Sequence, residues 1–169
     1  PEGSQYETVI RARRPGQQMT TRTIDRREMT RVPGASGDPL RAIQSFPGMG
    51  RPPAGLGFLV VRGSPPGDTN VNLETVEIPL LYHFGGFTSV FNSRFIQDID
   101  FMPGNYPVRY GGAHGGVVEI RVREIQQDPF VGWHGEASID IIDAELSNEG
   151  PIVDGLSVAF GARRSYIDA

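Results

Sequence analysis

LVVRGSPPGDTNVNLETVEIPLLYHFGGFTSVFN (Leu59–Asn92) and PGNYPVRYGGAHGGVVEIRV (Pro103–Val122) decide how this chain folds. Four short apolar runs lie in or beside these stretches: Phe58–Val61, Thr69–Leu73, Ile99–Met102 and Gly116–Val122. Each is rich in Val, Ile or Phe and bounded by Gly, Pro, Asn or Asp, the pattern of short strands. The polar-started segment Asn92–Asp98 is long enough for about two helical turns. The direct reading is an α+β fold with a small mixed four-stranded sheet and a few short helices.

Leu59-Val60-Val61-Arg62-Gly63 is followed by a polar hairpin and then by Phe95-Ile96-Gln97-Asp98-Ile99-Asp100-Phe101-Met102-Pro103-Gly104. Arg109-Tyr110-Gly111 and Gly115-Gly116-Val117-Val118-Glu119-Ile120 complete the series. In order and spacing these motifs resemble the plug domain of TonB-dependent outer-membrane receptors. The resemblance implies a flexible arm over 1–22, a plug over 23–123 that blocks a barrel lumen, and the first β-hairpin of that transmembrane barrel over 124–169. Arg62, Gly63, Arg109, Tyr110, Gly111, Gly115 and Gly116 would be the plug's structural motif. Arg62 and Arg109 are expected to pair with acidic residues such as Glu119 or Glu77.

Composition agrees with a punctuated fold of short strands. Glycine (22) and proline (14) make up roughly a fifth of the 169 residues, short of the ~25–30% typical of disorder. Cysteine is absent, which excludes disulfides and thiolate metal sites. The net charge of −4 argues against a nucleic-acid partner. All basic residues are arginine; Arg11, Arg13, Arg14, Arg22, Arg26, Arg27 and Arg31 crowd the first third, whereas Glu124–Asp154 is acidic. No apolar run reaches the ~18 residues of a membrane helix, but barrel strands give a weaker signal. The chain opens on Pro1-Glu2-Gly3 without a charged start and apolar stretch, as a mature, trimmed or partial product would.

The opening arm is polar and basic except for Glu7-Thr8-Val9-Ile10-Arg11-Ala12. A β-prone segment in a mobile arm suits strand addition by a partner. The segment resembles the TonB box, with Arg11 where an apolar or neutral residue is usual, and so implies TonB as partner. Next, Asp25-Arg26-Arg27-Glu28 has capping-box spacing for a helix that stops by Val32, ahead of Pro33-Gly34. Asp38-Pro39 starts a second helix, with Leu40, Ile43 and Phe46 facing the sheet until Pro47-Gly48.

The resemblance places the loop from Met49 to Gly57 at the outward, ligand-facing apex. Arg51 there is either an anion-binding residue or a solvated loop arginine. Tyr82, His83, Phe84 and Phe87, around Gly85-Gly86, form an aromatic cluster with two open readings: a ligand-facing apex, or a seat against the barrel wall. Between Leu73 and Val76 the hairpin turn is Glu74–Thr75, where a tight turn wants Asn-Gly or Asp-Gly.

Beyond Arg123, Trp133, Gly135, Ala137, Ile139 and Ile141 alternate with His134, Glu136, Ser138 and Asp140. Such alternation puts one face in an apolar medium and one in water. Past Ile142 the parity flips; Ser147–Pro151 reads as a loop, and alternation resumes from Leu156 to Ala162. Two strands of a transmembrane barrel and a soluble hairpin packed on the preceding domain both fit. Because open edges are not viable in lipid, the barrel reading requires further strands, on this polypeptide or on another chain.

Enzymatic chemistry finds no support. His83, His114 and His134 lack metal-pair spacing. Asp98 and Asp100 read as capping and solvating a helix-to-strand joint. Gly111–Gly116 lacks the Lys-Ser/Thr of a phosphate loop and reads better as close backbone packing with positive φ. The resemblance implies a protein that is no enzyme and carries no cofactor. It would lie in the outer membrane of a Gram-negative cell with its arm and plug toward the periplasm, gating energised uptake of an extracellular ligand the residues do not name. The alternatives are a surface scaffold for adhesion or motility on the same fold, and a soluble binding domain.

Overall fold

The structure is a computed structural model that describes residues 20–29, 31–33, 35, 38–50, 58–79, 81–83, 88–125, 132–139, 141 and 143–166. In chain order the elements are β1 (Arg22–Asp25), α1 (Arg26–Met29), α2 (Pro39–Ile43), β2 (Met49–Gly50), β3 (Val60–Val61), β4 (Thr69–Leu73), β5 (Val76–Glu77), β6 (Tyr82–His83), β7 (Thr88–Ser89), β8 (Ile96–Met102), β9 (Gly116–Val122), β10 (His134–Ile139), β11 (Asp143–Val153) and β12 (Leu156–Ser165). No helix among the described residues is long and apolar enough to cross a membrane.

The fold is α+β around a mixed sheet ordered β1-β8-β9-β4-β5, with β4 and β9 parallel and the other pairs antiparallel. It has five strands, not four. Arg22–Asp25 pairs with Phe101–Asp98, so Arg22 belongs to the sheet and not to the arm. The Phe58–Val61 run is a strand only at Val60–Val61, which pairs with Met49–Gly50 in a separate ribbon. Alternation sorts the faces: Ile24, Val71, Ile99, Phe101, Val118 and Ile120 point into the core with Met29, Ala42, Ile43 and Phe46. The Phe101 and Phe46 rings meet at 5.8 Å. Val117, with Met102, Tyr110 and Ala113, forms a second small cluster.

Asn92–Asp98 is not a two-turn helix. A single 3-10 turn, Ser93–Phe95, is capped by the Asn92 side chain, and the strand starts at Ile96. A register irregularity between Ile96 and Asp98 lets Ile96 and Ile99 both bury at a spacing of three, which imitates a helical period. Asp98 and Asp100 do share a side, but they bind Arg121 at 2.6 and 2.8 Å instead of capping a joint. Asp25 does cap its helix, accepting from Glu28 N at 2.9 Å. Helix α1 is only one turn long.

The terminal segment is a three-stranded antiparallel meander, β10-β11-β12. The region 147–151, expected as a loop, lies inside β11; the reversal falls instead at Asp154–Gly155, where Gly155 has φ +75°. The parity flip past Ile142 follows the first reversal, since β10 ends at Ile139, which pairs with Ala144. The alternation of outward apolar and inward polar residues holds: Trp133, Ile139, Leu146, Ile152 and Phe160 are exposed, whereas Asp143, Ser147 and Glu149 are buried.

Tyr82, read as part of an aromatic apex, is a core residue with 5% exposure. Its buried hydroxyl has no hydrogen-bond partner among the described residues. Burial first, and then the Asp38 carboxylate, push its ionisation far above the usual range, against the opposing pull of Arg41. A tyrosine pKa raised by folding contributes stability below its unfolded value near 10 and loses it above. Urea midpoints should therefore fall as pH rises past about 10. Tyr82→Phe should flatten that fall while changing stability at neutral pH by less than about 1 kcal/mol, since the hydroxyl it removes makes no bond.

Candidate functional site

The functional surface is the seam between the sheet domain and the inward face of β10–β12. Arg94 sits on the 3-10 turn before β8, and Arg123 directly follows β9. Arg94 forms an ion pair with Glu136, donates to Ser138 Oγ at 3.2 Å, and approaches Glu145 at 3.8 Å. Arg123 grips Glu149 with both terminal nitrogens, one at 3.0 Å, while its Nε donates to Arg94 O at 2.9 Å. Its guanidinium also lies 5.9 Å from the centroid of the Phe95 ring. His134 Nε2 lies 2.8 Å from Glu149 Oε1. Such two-pronged, charge-assisted bonds fix orientation as well as attraction.

A second patch joins the other end of the seam. Arg163 donates to Ser89 O and lies 3.9 Å from Asp143. Ser89 N in turn donates to Asp38 Oδ2 at 2.9 Å, tying β7 to the start of α2. Within the first patch a cleft of about 290 Å³ is walled by Arg26, Arg94, Arg123, His134, Glu136 and Glu149. Polar walls and that volume suit several waters. Glu145 Oε1 and Arg94 Nε are buried without a hydrogen bond, Arg94 Nε having only its 3.8 Å ion-pair contact with Glu145 Oε2, so the seam combines strong bonds with loosely satisfied polar groups.

The residues singled out in the sequence scatter. Glu7, Thr8, Val9, Ile10, Arg11, Ala12, Arg51, Phe84 and Phe87 lie outside the described residues. Met49 pairs with Val61 and packs partly against the core, and His83 pairs with Thr88. Arg62, Gly63 and Gly115 come together, with Ser64, Tyr106 and His114, around a groove of about 430 Å³. Arg109 and Tyr110 lie elsewhere: Arg109 donates to the Tyr110 hydroxyl at 3.1 Å and stacks 4.7 Å over its ring. The Arg109–Glu119 pairing is not formed: Glu119 Oε1 accepts from Thr75 N and its Oε2 has no hydrogen bond, while the sheet's ion pairs belong to Arg121. Close packing accounts for Gly115 and Gly116: a Cβ on Gly116 would lie 3.0–3.1 Å from the Val61 methyls, and one on Gly115 would collide with Ser64 Oγ. Positive φ falls at Gly112 and not at Gly111, Gly115 or Gly116. Among the described residues no group of three or more His, Asp or Glu could hold a metal.

Arg94, Arg123, Glu136 and Glu149 went unmarked in the sequence. Their signal was the acidic residues on the polar side of the alternating strands, which need cationic partners once that side is covered.

No protein-family model matches the sequence, and no curated protein does. Among solved structures, the siderophore receptor PirA from Acinetobacter baumannii matches with a TM-score of 0.58 at 16% identity, over 88% of this chain and 25% of that one. The open form of the ferric-catecholate import receptor Fiu from E. coli K12 matches with a TM-score of 0.57 at 17% identity, over 87% of this chain and 21% of that one. The fold, a mixed sheet with a few short helices, is that of the plug domain of TonB-dependent receptors. The chain spans about a quarter of PirA and a fifth of Fiu, and at this identity the likeness is one of fold.

The Arg123–Glu149 pair should behave as a mostly buried ion pair, because Glu149 is 7% and Arg123 25% exposed at the side chain. Arg123→Ala is expected to cost about 3 kcal/mol, the lower end for stranding a buried partner. The cost should shrink in a Glu149→Ala background. A double-mutant cycle by urea unfolding checks it; additive single effects would mean the two groups do not interact.

Proposed function

We propose that this chain is the plug region of an outer-membrane receptor that gates energy-coupled uptake of a scarce ligand through a β-barrel. The observation that carries the reading is the two-faced terminal meander. Its inner side is clasped to the plug by Arg94, Arg123 and Arg163, and its outer side is a band of exposed apolar residues, with Ile139 at 80% and Phe160 at 50%. A hairpin packed on a soluble domain would turn that apolar side inward. An apolar outside with a polar inside is the pattern of a barrel wall.

The arm ahead of β1, with Glu7–Ala12, is then the piece that TonB engages by strand addition from the periplasm. The plug extends from β1 to Arg123, and residues from about 124 onward enter the wall. The rest of the barrel completes the edges of β10 and β12, and lipid covers the outer face. The plug blocks the lumen, and the seam lets it rearrange without exposing a dry core, since water can replace each polar contact as it opens. Arg51, Phe84 and Phe87 are the residues we assign to ligand contact. Ferric-catecholate chelates, the cargo class in the name of one structural neighbour, are the first probe.

Two measurements on the full-length protein test this reading. Leu146→Arg, on the outer face, should destabilise the protein in phospholipid vesicles by about 2–4 kcal/mol if that face meets lipid, and by under about 0.5 kcal/mol if it meets water. Deleting 7–12 should abolish energy-dependent uptake of a labelled ferric catecholate while surface binding persists. Uptake indifferent both to the deletion and to energy poisoning would assign a static scaffold instead.

A further inference from the structure

Four described non-glycine residues have positive φ, and two of them are consecutive: Glu74 at 48° and Thr75 at 72°. They form the two-residue turn between β4 and β5, with Leu73 paired to Val76. A tight turn of this kind demands positive φ at both central positions, which is why Asn-Gly and Asp-Gly dominate it. Threonine is β-branched and among the least suited residues to that region. Such conformations persist only where the surroundings over-determine them, and they gather at switch regions.

Here the surroundings are the last residues of β9. Glu74 N donates to Ile120 O at 3.0 Å, Thr75 N donates to Glu119 Oε1 at 2.8 Å, and Val122 N donates to Glu74 Oε1 at 2.6 Å. The third bond explains the glutamate. Strand β4 runs parallel to β9 and turns away after Leu73, leaving Val122 N without the carbonyl a longer strand would offer. The Glu74 carboxylate takes that place, so glycine at 74 would relax the backbone and lose the bond. Thr75 contributes through its backbone N–H, which any residue retains. On its far side the hairpin is the sheet's edge, with Val76 66% exposed.

The residue after Val122 is Arg123, whose N donates to Phe95 O at 2.8 Å and whose guanidinium grips Glu149. Five consecutive residues, Glu119 to Arg123, thus hold the strained turn with one end and the barrel strands with the other. We propose that Glu74–Thr75 is a strained latch. It stays in the left-handed region while the end of β9 is seated on Glu149; when that seat opens, the turn relaxes and its tip, Glu74–Thr75, comes away from the end of β9, while β4 stays paired with β9. The coupling is a property of the sheet and the seam and does not depend on uptake, so uptake is not its readout.

The test is site-resolved amide exchange on the full-length protein in detergent micelles. Arg123→Gln, or the milder Glu149→Gln should the first fail to fold, is expected to speed exchange at Thr75 and Val122 by roughly tenfold, the scale of one strained residue released. Ile99 and Val118 in the sheet centre should keep their rates. Adding Thr75→Gly, which removes the strain and keeps the N–H, should return the Thr75 and Val122 rates toward those of the parent protein. Thr75→Gly alone should raise the urea midpoint. Unchanged exchange at Thr75 when the seat is opened, no recovery with Thr75→Gly, or a lowered midpoint for that variant would each overturn the latch.

Discussion

Strand β9 is the constraint on which the rest depends. It has hydrogen-bonded neighbours on both edges, parallel β4 and antiparallel β8, and its first five residues are buried. A slip of one residue would send Val118 and Ile120 to the side of Glu119 and Arg121, placing charge in the core. No such slip is tolerable, so β9 carries a fixed register outward to everything attached to it. Arg121 meets Asp98 and Asp100, Glu119 meets the turn, and Arg123 arrives at the terminal meander with Glu149 in reach.

The core and the seam are built on opposite physical principles, and the difference suits a plug. Within the sheet domain, Phe101, Ile99, Val118 and Ile120 are sealed from water, and burial of each such side chain is worth ~1.5–3 kcal/mol. Separating those surfaces would lose that energy outright. Across the seam the contacts are ion pairs and hydrogen bonds around a wet cleft, where the charges are about as well satisfied by water as by each other. Net attraction is therefore modest while orientation is strict. A body held this way has a defined seat and a low cost of leaving it.

Some of this was legible in the residues and some was not. A Val- and Ile-rich run after paired glycines marked β9, whose first five residues are buried, because a strand buried on both faces is a short, largely apolar run; β4, TNVNL, was marked by Val71 and Leu73 alternating with asparagines. The terminal alternation marked β10 and β12. Strand β11 escaped because Asn148 and Gly150 occupy outward positions and Pro151 sits beside a register shift, so polar residues and turn formers filled places where apolar ones were expected. The start of β8 passed for a helix because its irregularity gives Ile96 and Ile99 a helical spacing. Tyr82 passed for a ligand residue because glycines beside aromatics look the same whether the ring turns outward or into a core. Of the seven motif residues, Arg62, Gly63 and Gly115 share one groove while Arg109 and Tyr110 lie elsewhere, and Arg94 and Glu136 are far apart in chain order, so only the docking of strands on sheet makes them an ion pair.

Local chemistry was set by the residues alone: that β9, β10 and β12 are strands, which side of the terminal strands is apolar, that Asp25 caps a helix, and that no cysteine chemistry or helical membrane crossing is encoded over the described residues. These follow from one-residue preferences and short periods, which are complete within a few positions of chain. Partner choice was left to the tertiary structure. Arg121 and not Arg109 took the sheet carboxylates, Arg123 took Glu149, and Glu74–Thr75 entered a turn that its own preferences oppose. In each case the energy comes from groups distant in sequence, and a side chain's contacts exist only once the sheet has brought those groups to it.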